Sequence, residues 1–325
     1  MKKLLSLALA LVMVLTLSVA VAAEEHTDME TVTIAVTYNA TNEGTTSPAE
    51  VFTFAIANAS VTDAAAGVTK ENMPTPSVGS VAYDAGDAGN ADTMTKNVTI
   101  TLPEYTSVGV YTYTITPNPG TTAGVTYWAK TIKLVVTVIE QNGKIRVAAV
   151  HTEGEGEAKS DDISYTYSAG SLSVTKNVTG NLGDQTKEFN VTVTFTAPEA
   201  GVVNSTISYI VDGETKTIAP AAWEGDTASV RIALHHEETV TFTNIPYHVT
   251  YHVEEDSYAA EEYETSYNKQ DGTIGAASDA VTITNNKGTT VDTGVVLDSL
   301  PYILLIAVAV VGVVAFTAKK RTTDR

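Results

Sequence analysis

Leu172-Ser173-Val174-Thr175-Lys176-Asn177-Val178 alternates large side chains with small or polar ones. Successive side chains of an extended chain point to opposite faces, so a period of two predicts a strand with Leu172, Val174, Lys176 and Val178 on one face. The same alternation runs through Val32-Thr33-Ile34-Ala35-Val36 and Val191-Thr192-Val193-Thr194-Phe195. Clusters of turn formers separate such runs, as at Asp84-Ala85-Gly86-Asp87 and Gly180-Asn181-Leu182-Gly183-Asp184. No stretch of useful length between the two ends of the chain has a helical period. The prediction is an all-β protein of antiparallel sandwiches, each sheet burying one face and wetting the other.

The chain repeats itself. Val32 to Tyr38, Phe52-Thr53-Phe54-Ala55-Ile56 and Tyr111-Thr112-Tyr113-Thr114-Ile115 recur in order as Leu172 to Val178, Phe189-Asn190-Val191-Thr192-Val193 and Val249-Thr250-Tyr251-His252-Val253. Two tandem β-sandwich domains follow, residues 24–168 and 169–288, with the acidic stretch Glu153 to Asp162 leading into the last strand of the first.

The ends read differently. Met1-Lys2-Lys3, an apolar run from Leu4 to Val21, and small residues at Ala20, Ala22 and Ala23 have the order of a secretory signal peptide over residues 1–23. Near the other end, Tyr302 to Ala318 is an uncharged run followed by Lys319-Lys320-Arg321, which predicts a transmembrane segment with a cytoplasmic basic stop. Upstream of it stands Thr290-Val291-Asp292-Thr293-Gly294. Pentapeptide, apolar run and basic tail together resemble a sortase sorting signal, which implies cleavage between Thr293 and Gly294. Asp292 stands where such signals usually carry proline. The expected location is the surface of a Gram-positive bacterium, anchored to the cell wall, with a membrane-inserted precursor.

Composition narrows the functions. A formal charge of −19 argues against nucleic acid or anionic lipid as a partner, because both reward a basic surface. With no cysteine, disulfides, thioesters and thiolate metal sites are excluded. His248 and His252 flank Thr250 on an outward face, and His235-His236 falls in a loop; neither pair has companion ligands at metal spacing, so no metal and no cofactor are expected.

Three polar residues sit at the ends of inward faces in the second domain. Lys176 shares a face with Leu172 and Val174. Glu255 closes the face of Tyr247, Val249, Tyr251 and Val253, and Asn285 closes that of Val281 and Ile283. Burying any one of them alone is costly, so three call for a joint explanation. One is a buried salt bridge with an amide satisfied nearby, or a register slip that puts all three in water. The other is covalent: a desolvated, neutral lysine amine attacks the side-chain carbonyl of Asn285 while a neutral Glu255 polarises that carbonyl and relays protons.

Leu172-Ser173-Val174-Thr175-Lys176, Tyr251-x-Val253-x-Glu255 and Thr282-Ile283-Thr284-Asn285, in this order, resemble the intramolecular isopeptide domains of streptococcal-type major pilins. The resemblance covers nearly the whole chain and implies immunoglobulin-like domains of the CnaB type. It also implies a Lys176 to Asn285 cross-link with Glu255 as its catalyst, and no external enzymatic activity. In the first domain the repeat puts Tyr38, Pro117 and Tyr167 at the three positions, so no such cross-link is expected there, and aromatic packing should fill the space. The implied partners are a sortase, neighbouring pilin subunits and peptidoglycan. Such pilins polymerise through a lysine near the end of the first domain, and Lys159 sits close to that place, with Lys144 and Lys133 as further candidates. A monomeric wall-anchored adhesin or stalk binding a host or surface ligand is the alternative reading. On the mechanical side, the sequence predicts that the domain without a cross-link is the weaker element of the chain.

Overall fold

The structure is a computed structural model and describes residues 28–154 and 162–289. Among these residues the chain is β throughout, apart from two short 3-10 turns, Pro220–Ala222 and Ala259–Glu261. No helix of the described residues is long and apolar enough to cross a membrane. The expected signal peptide, the sorting motif with Thr293 and Gly294, the apolar run from Tyr302 to Ala318 and Lys159 all lie outside the described residues.

The first half contributes β1 (Thr31–Thr41), β2 (Glu50–Phe52), β3 (Phe54–Thr62), β4 (Ser77–Val78), β5 (Val81–Tyr83), β6 (Thr93–Thr101), β7 (Gly109–Pro117), β8 (Val125–Thr126), β9 (Ile132–Gln141), β10 (Lys144–Glu153) and β11 (Asp162–Thr179). The second contributes β12 (Phe189–Thr196), β13 (Ile207–Val211), β14 (Glu214–Ile218), β15 (Thr227–Leu234), β16 (Thr239–Pro246), β17 (Thr250–Glu255), β18 (Glu264–Tyr267), β19 (Asp271–Thr273) and β20 (Ser278–Asn286).

Each half is a sandwich. In the first, the sheet β4-β6-β1-β11 faces β10-β9-β7-β3, and their alternate side chains build a core around Ile34, Val36, Val98, Tyr113, Leu134 and Val136. In the second, β14-β13-β16-β11-β20-β18 faces β15-β12-β17-β19 around Val174, Val193, Phe195, Phe242, Val253 and Ile283. Thr53 interrupts the expected Phe52 to Ile56 strand, so Phe52 pairs with Val81 while Phe54 pairs with Pro117.

β11 belongs to both sandwiches. Its first part runs parallel to β1, from Asp162 opposite Ala35 to Ser168 opposite Thr41. Its second part runs parallel to β20 and antiparallel to β16. The inward face changes parity where the domains meet: Ile163, Tyr165, Tyr167 and Ala169 are buried, and then Gly170, Leu172, Val174 and Lys176. A Cβ at Gly170 would lie 2.2 Å from the carbonyl oxygen of Ala276, so only glycine lets the strand pass from one core to the other here.

Candidate functional site: a buried lysine, glutamate and asparagine

Three strands converge at the end of the second domain that is farther along β11 from the first. β11 carries Lys176, which pairs with Ile283 of β20, and Asn285 lies one inward position further along, opposite Val178. β17, on the facing sheet, ends in Glu255 opposite Val191. Because all three occupy apolar-face positions, the fold that buries Leu172, Val253 and Ile283 also buries them. Lys176 and Asn285 have no exposed surface, and neither does the Glu255 side chain.

Lys176 Nζ lies 2.7 Å from Glu255 Oε1 and 4.3 Å from the centroid of the Phe189 ring. The Lys–Glu approach is close, yet neither atom is directed along a hydrogen bond, and both Asn285 side-chain atoms also lack a hydrogen-bond partner within the protein. Glu255 Oε2 accepts from Thr265 Oγ1 at 3.1 Å, and the Glu255 backbone N–H donates to Tyr267 Oη at 2.9 Å, so the edge strand β18 holds the carboxyl in place. Phe189, Val178 and Tyr263 pack together as a small apolar cluster, with Tyr258 against it.

Burial lowers the Lys176 pKa from its ordinary value, and the neighbouring Glu255 carboxyl opposes the shift without cancelling it. A desolvated amine next to a carboxyl is poised to exchange a proton with it, leaving a neutral amine near an unsatisfied amide. Such a set can carry out one acyl transfer: the amine attacks the amide carbon, the carboxyl supplies a proton to the departing nitrogen, and ammonia leaves. The roles of Phe189, Thr265 and Tyr267 are not readable from alternation. Phe189 looks like ordinary core, and Glu264-Thr265-Ser266-Tyr267 has no apolar period.

The same positions in the first domain are filled differently. Tyr38 pairs with Tyr165 as Lys176 pairs with Ile283, Tyr167 lies opposite Ala40 as Asn285 lies opposite Val178, and Pro117 pairs with Phe54 as Glu255 pairs with Val191. Tyr38 packs edge-on to Phe52 and Tyr83 at 5.3 Å each, and Phe52 stacks on Tyr165 at 3.6 Å. The other candidates stand apart from this chemistry: Lys133 and Lys144 are exposed on β9 and β10, and His252 pairs with Asp271 at 2.6 Å. Among the described residues no group of three His, Cys, Asp or Glu side chains is placed to hold a metal ion.

Known proteins resemble this chain in sequence and fold. Residues 25–168 match the family described as "Spy0128-like isopeptide containing domain", and residues 170–287 match a domain family of unknown function, DUF7601. A curated relative, "Pilin" of Streptococcus pyogenes serotype M1, is 29% identical over 260 residues, covering 74% of this chain and 76% of the relative. Over about three quarters of its length the chain is thus similar to a streptococcal pilin. Solved structures agree on the fold. The major pilin of Streptococcus pyogenes superposes with a TM-score of 0.54 at 21% identity, covering 81% of this chain and 100% of that one. The T3.2 major pilin of the same species gives 0.52 at 20%, covering 80% and 99%. The matched isopeptide family thus falls on the half of this chain that carries Tyr38, Pro117 and Tyr167, while the Lys-Glu-Asn set lies in the half matched by the family of unknown function.

Proposed function

We propose that this chain is a pilin, a structural subunit of a Gram-positive surface pilus, polymerised and wall-anchored by a sortase through Thr293, and stiffened by an isopeptide bond between Lys176 and Asn285 that forms with Glu255 as catalyst. The observation that carries the cross-link is the burial of all three side chains in one apolar pocket with Lys176 Nζ 2.7 Å from Glu255 Oε1. A permanent lysine in such a place, facing an amide with no partner, is costly; a neutral amide bond in its stead is not.

The balance is simple. The neutral Lys176 amine adds to Cγ of Asn285, Glu255 donates its proton toward the amide and takes one back from the attacking nitrogen, and the C–N bond to the Asn285 nitrogen breaks. One new amide and one ammonia result, and Glu255 ends unchanged. Joining β11 to β20 closes a loop of just over 100 residues, which contributes on the order of 4 to 5 kcal/mol by the chain-entropy argument used for disulfides.

Intact mass tests the bond. The purified second domain should be one ammonia lighter than its sequence, and Glu255→Ala should restore the full mass; a full mass in the wild-type domain refutes the bond. Assembly is tested separately with the cognate sortase, where a covalent ladder supports a shaft subunit and monomers alone favour a wall-anchored adhesin or stalk. Within the shaft reading, Lys159 is the proposed acceptor amine, and Lys159→Ala should abolish the ladder.

A further inference from the structure

The inward places that hold Lys176 and Asn285 in the second domain lie, in the first domain, beside the junction with the second. Tyr167, which stands in the place of Asn285, directs its hydroxyl out of its own domain to Asn244 Oδ1 of the second, at 3.4 Å. Asn244 is buried and uses its whole amide: Oδ1 also accepts the Thr46 backbone N–H at 2.9 Å, and Nδ2 donates to the Thr206 carbonyl at 3.0 Å. It can do so because β16 carries a bulge, Thr243 and Asn244 together facing Ser171, with Asn244 at φ 61. Asparagine tolerates that left-handed backbone better than most side chains.

A second asparagine works from the other side. Asn42 follows the last residue of β1, has φ 71, and donates through Nδ2 to the Ala169 carbonyl at 2.8 Å and to Tyr247 Oη at 3.0 Å. The loop before β8 completes the contact. The Ala123 N–H donates to the Val202 carbonyl and the Val202 N–H to the Thr121 carbonyl, and Ala123 is buried in the core of the second domain. A Cβ at Gly124 would sit 2.6 Å from the Ser168 carbonyl oxygen, so this loop can lie against β11 only with glycine there.

The geometry points to the second domain as the clamp of the first: where the first domain has no covalent link between β1 and β11, Asn42 and Asn244 tie the ends of both strands to a neighbouring sandwich. The joint is therefore a binding interface for which the partner is the adjacent domain of the same chain, and first-domain stability depends on residues outside that domain.

Hydrogen exchange on the full chain tests this. Asn244→Gly and Asn42→Gly keep the left-handed backbone and remove only the amide. Both should speed amide exchange about tenfold in β1, β6 and β8, while β12 and β15 keep wild-type protection. Acceleration confined to the second domain in Asn244→Gly, or unchanged exchange in β1 in both variants, would overturn the proposal. Asn42→Gly lies in a turn of the first domain and serves as the independent reading if Asn244→Gly folds poorly.

Discussion

Lys176 shows how one side chain can hold two opposed energetic roles. As an ammonium it would be a buried charge beside Phe189; as the proposed amide nitrogen it is neutral and fixed. The two roles can be separated by substitution. Lys176→Met and Glu255→Ala both forgo the bond, about 4 to 5 kcal/mol. Glu255→Ala in addition leaves a buried lysine with no carboxyl, whereas Lys176→Met fills the lysine's volume and leaves a carboxyl that still accepts from Thr265 Oγ1. Chemical denaturation should therefore find Glu255→Ala less stable than Lys176→Met, by roughly 1 to 3 kcal/mol. Equal stability of the two variants would mean that the lysine carries no desolvation cost. The three residues were legible in the sequence for the same reason that they are costly. Each interrupts an apolar face at a position where alternation demands burial, and that conflict shows without coordinates. Thr265 and Tyr267 were not legible, because an edge strand with one wet face has no pattern to violate.

At the scale of the element, β11 is where sequence and structure part company most. The domain boundary expected from the sequence, between residues 168 and 169, falls within the small and polar stretch Ser168-Ala169-Gly170-Ser171. That stretch is the middle of a strand of 18 residues. The strand changes its inward face there as it leaves one core for the next, and no local propensity records it. Gly170 is the point of passage. Gly170→Ala should force the Ala276 carbonyl aside and lower the stability of the full chain by roughly 1 to 3 kcal/mol, measurable as an earlier midpoint in urea. An unchanged midpoint would mean that the segment after β19 yields freely. By contrast, β1, β7 and β12 were read correctly in type, since long runs of β-branched and aromatic residues with period two leave little choice.

The whole molecule divides by chemistry. The first domain packs phenols where the second has its Lys-Glu-Asn set, and burial raises their pKa values, Tyr83 and Tyr105 to about 12 and Tyr38, Tyr113 and Tyr165 further. A phenol held protonated by the fold contributes its full stability below its ordinary pKa near 10. Above that the unfolded chain ionises while the folded one does not, and the contribution is lost as pH rises through the folded value. The first domain should open between about pH 10 and 12 while the second, held by the proposed cross-link, persists, a sequence that hydrogen exchange or domain-resolved proteolysis would read. Loss of both domains at one pH would contradict it.

The continuity of β11 also changes what the tyrosines at the matching places of the first domain mean. The sequence alone makes that domain the weak element of a shaft. With Lys159 as acceptor, however, tension entering the subunit would pass straight into β11 at Asp162, run along it to Lys176, cross to Asn285 and leave toward Thr293. Residues 31–153 would hang beside that line rather than form part of it. A fibre built this way is as strong as its cross-linked strands, and the side domain is free to change its surface from one variant to another without any loss of tensile strength.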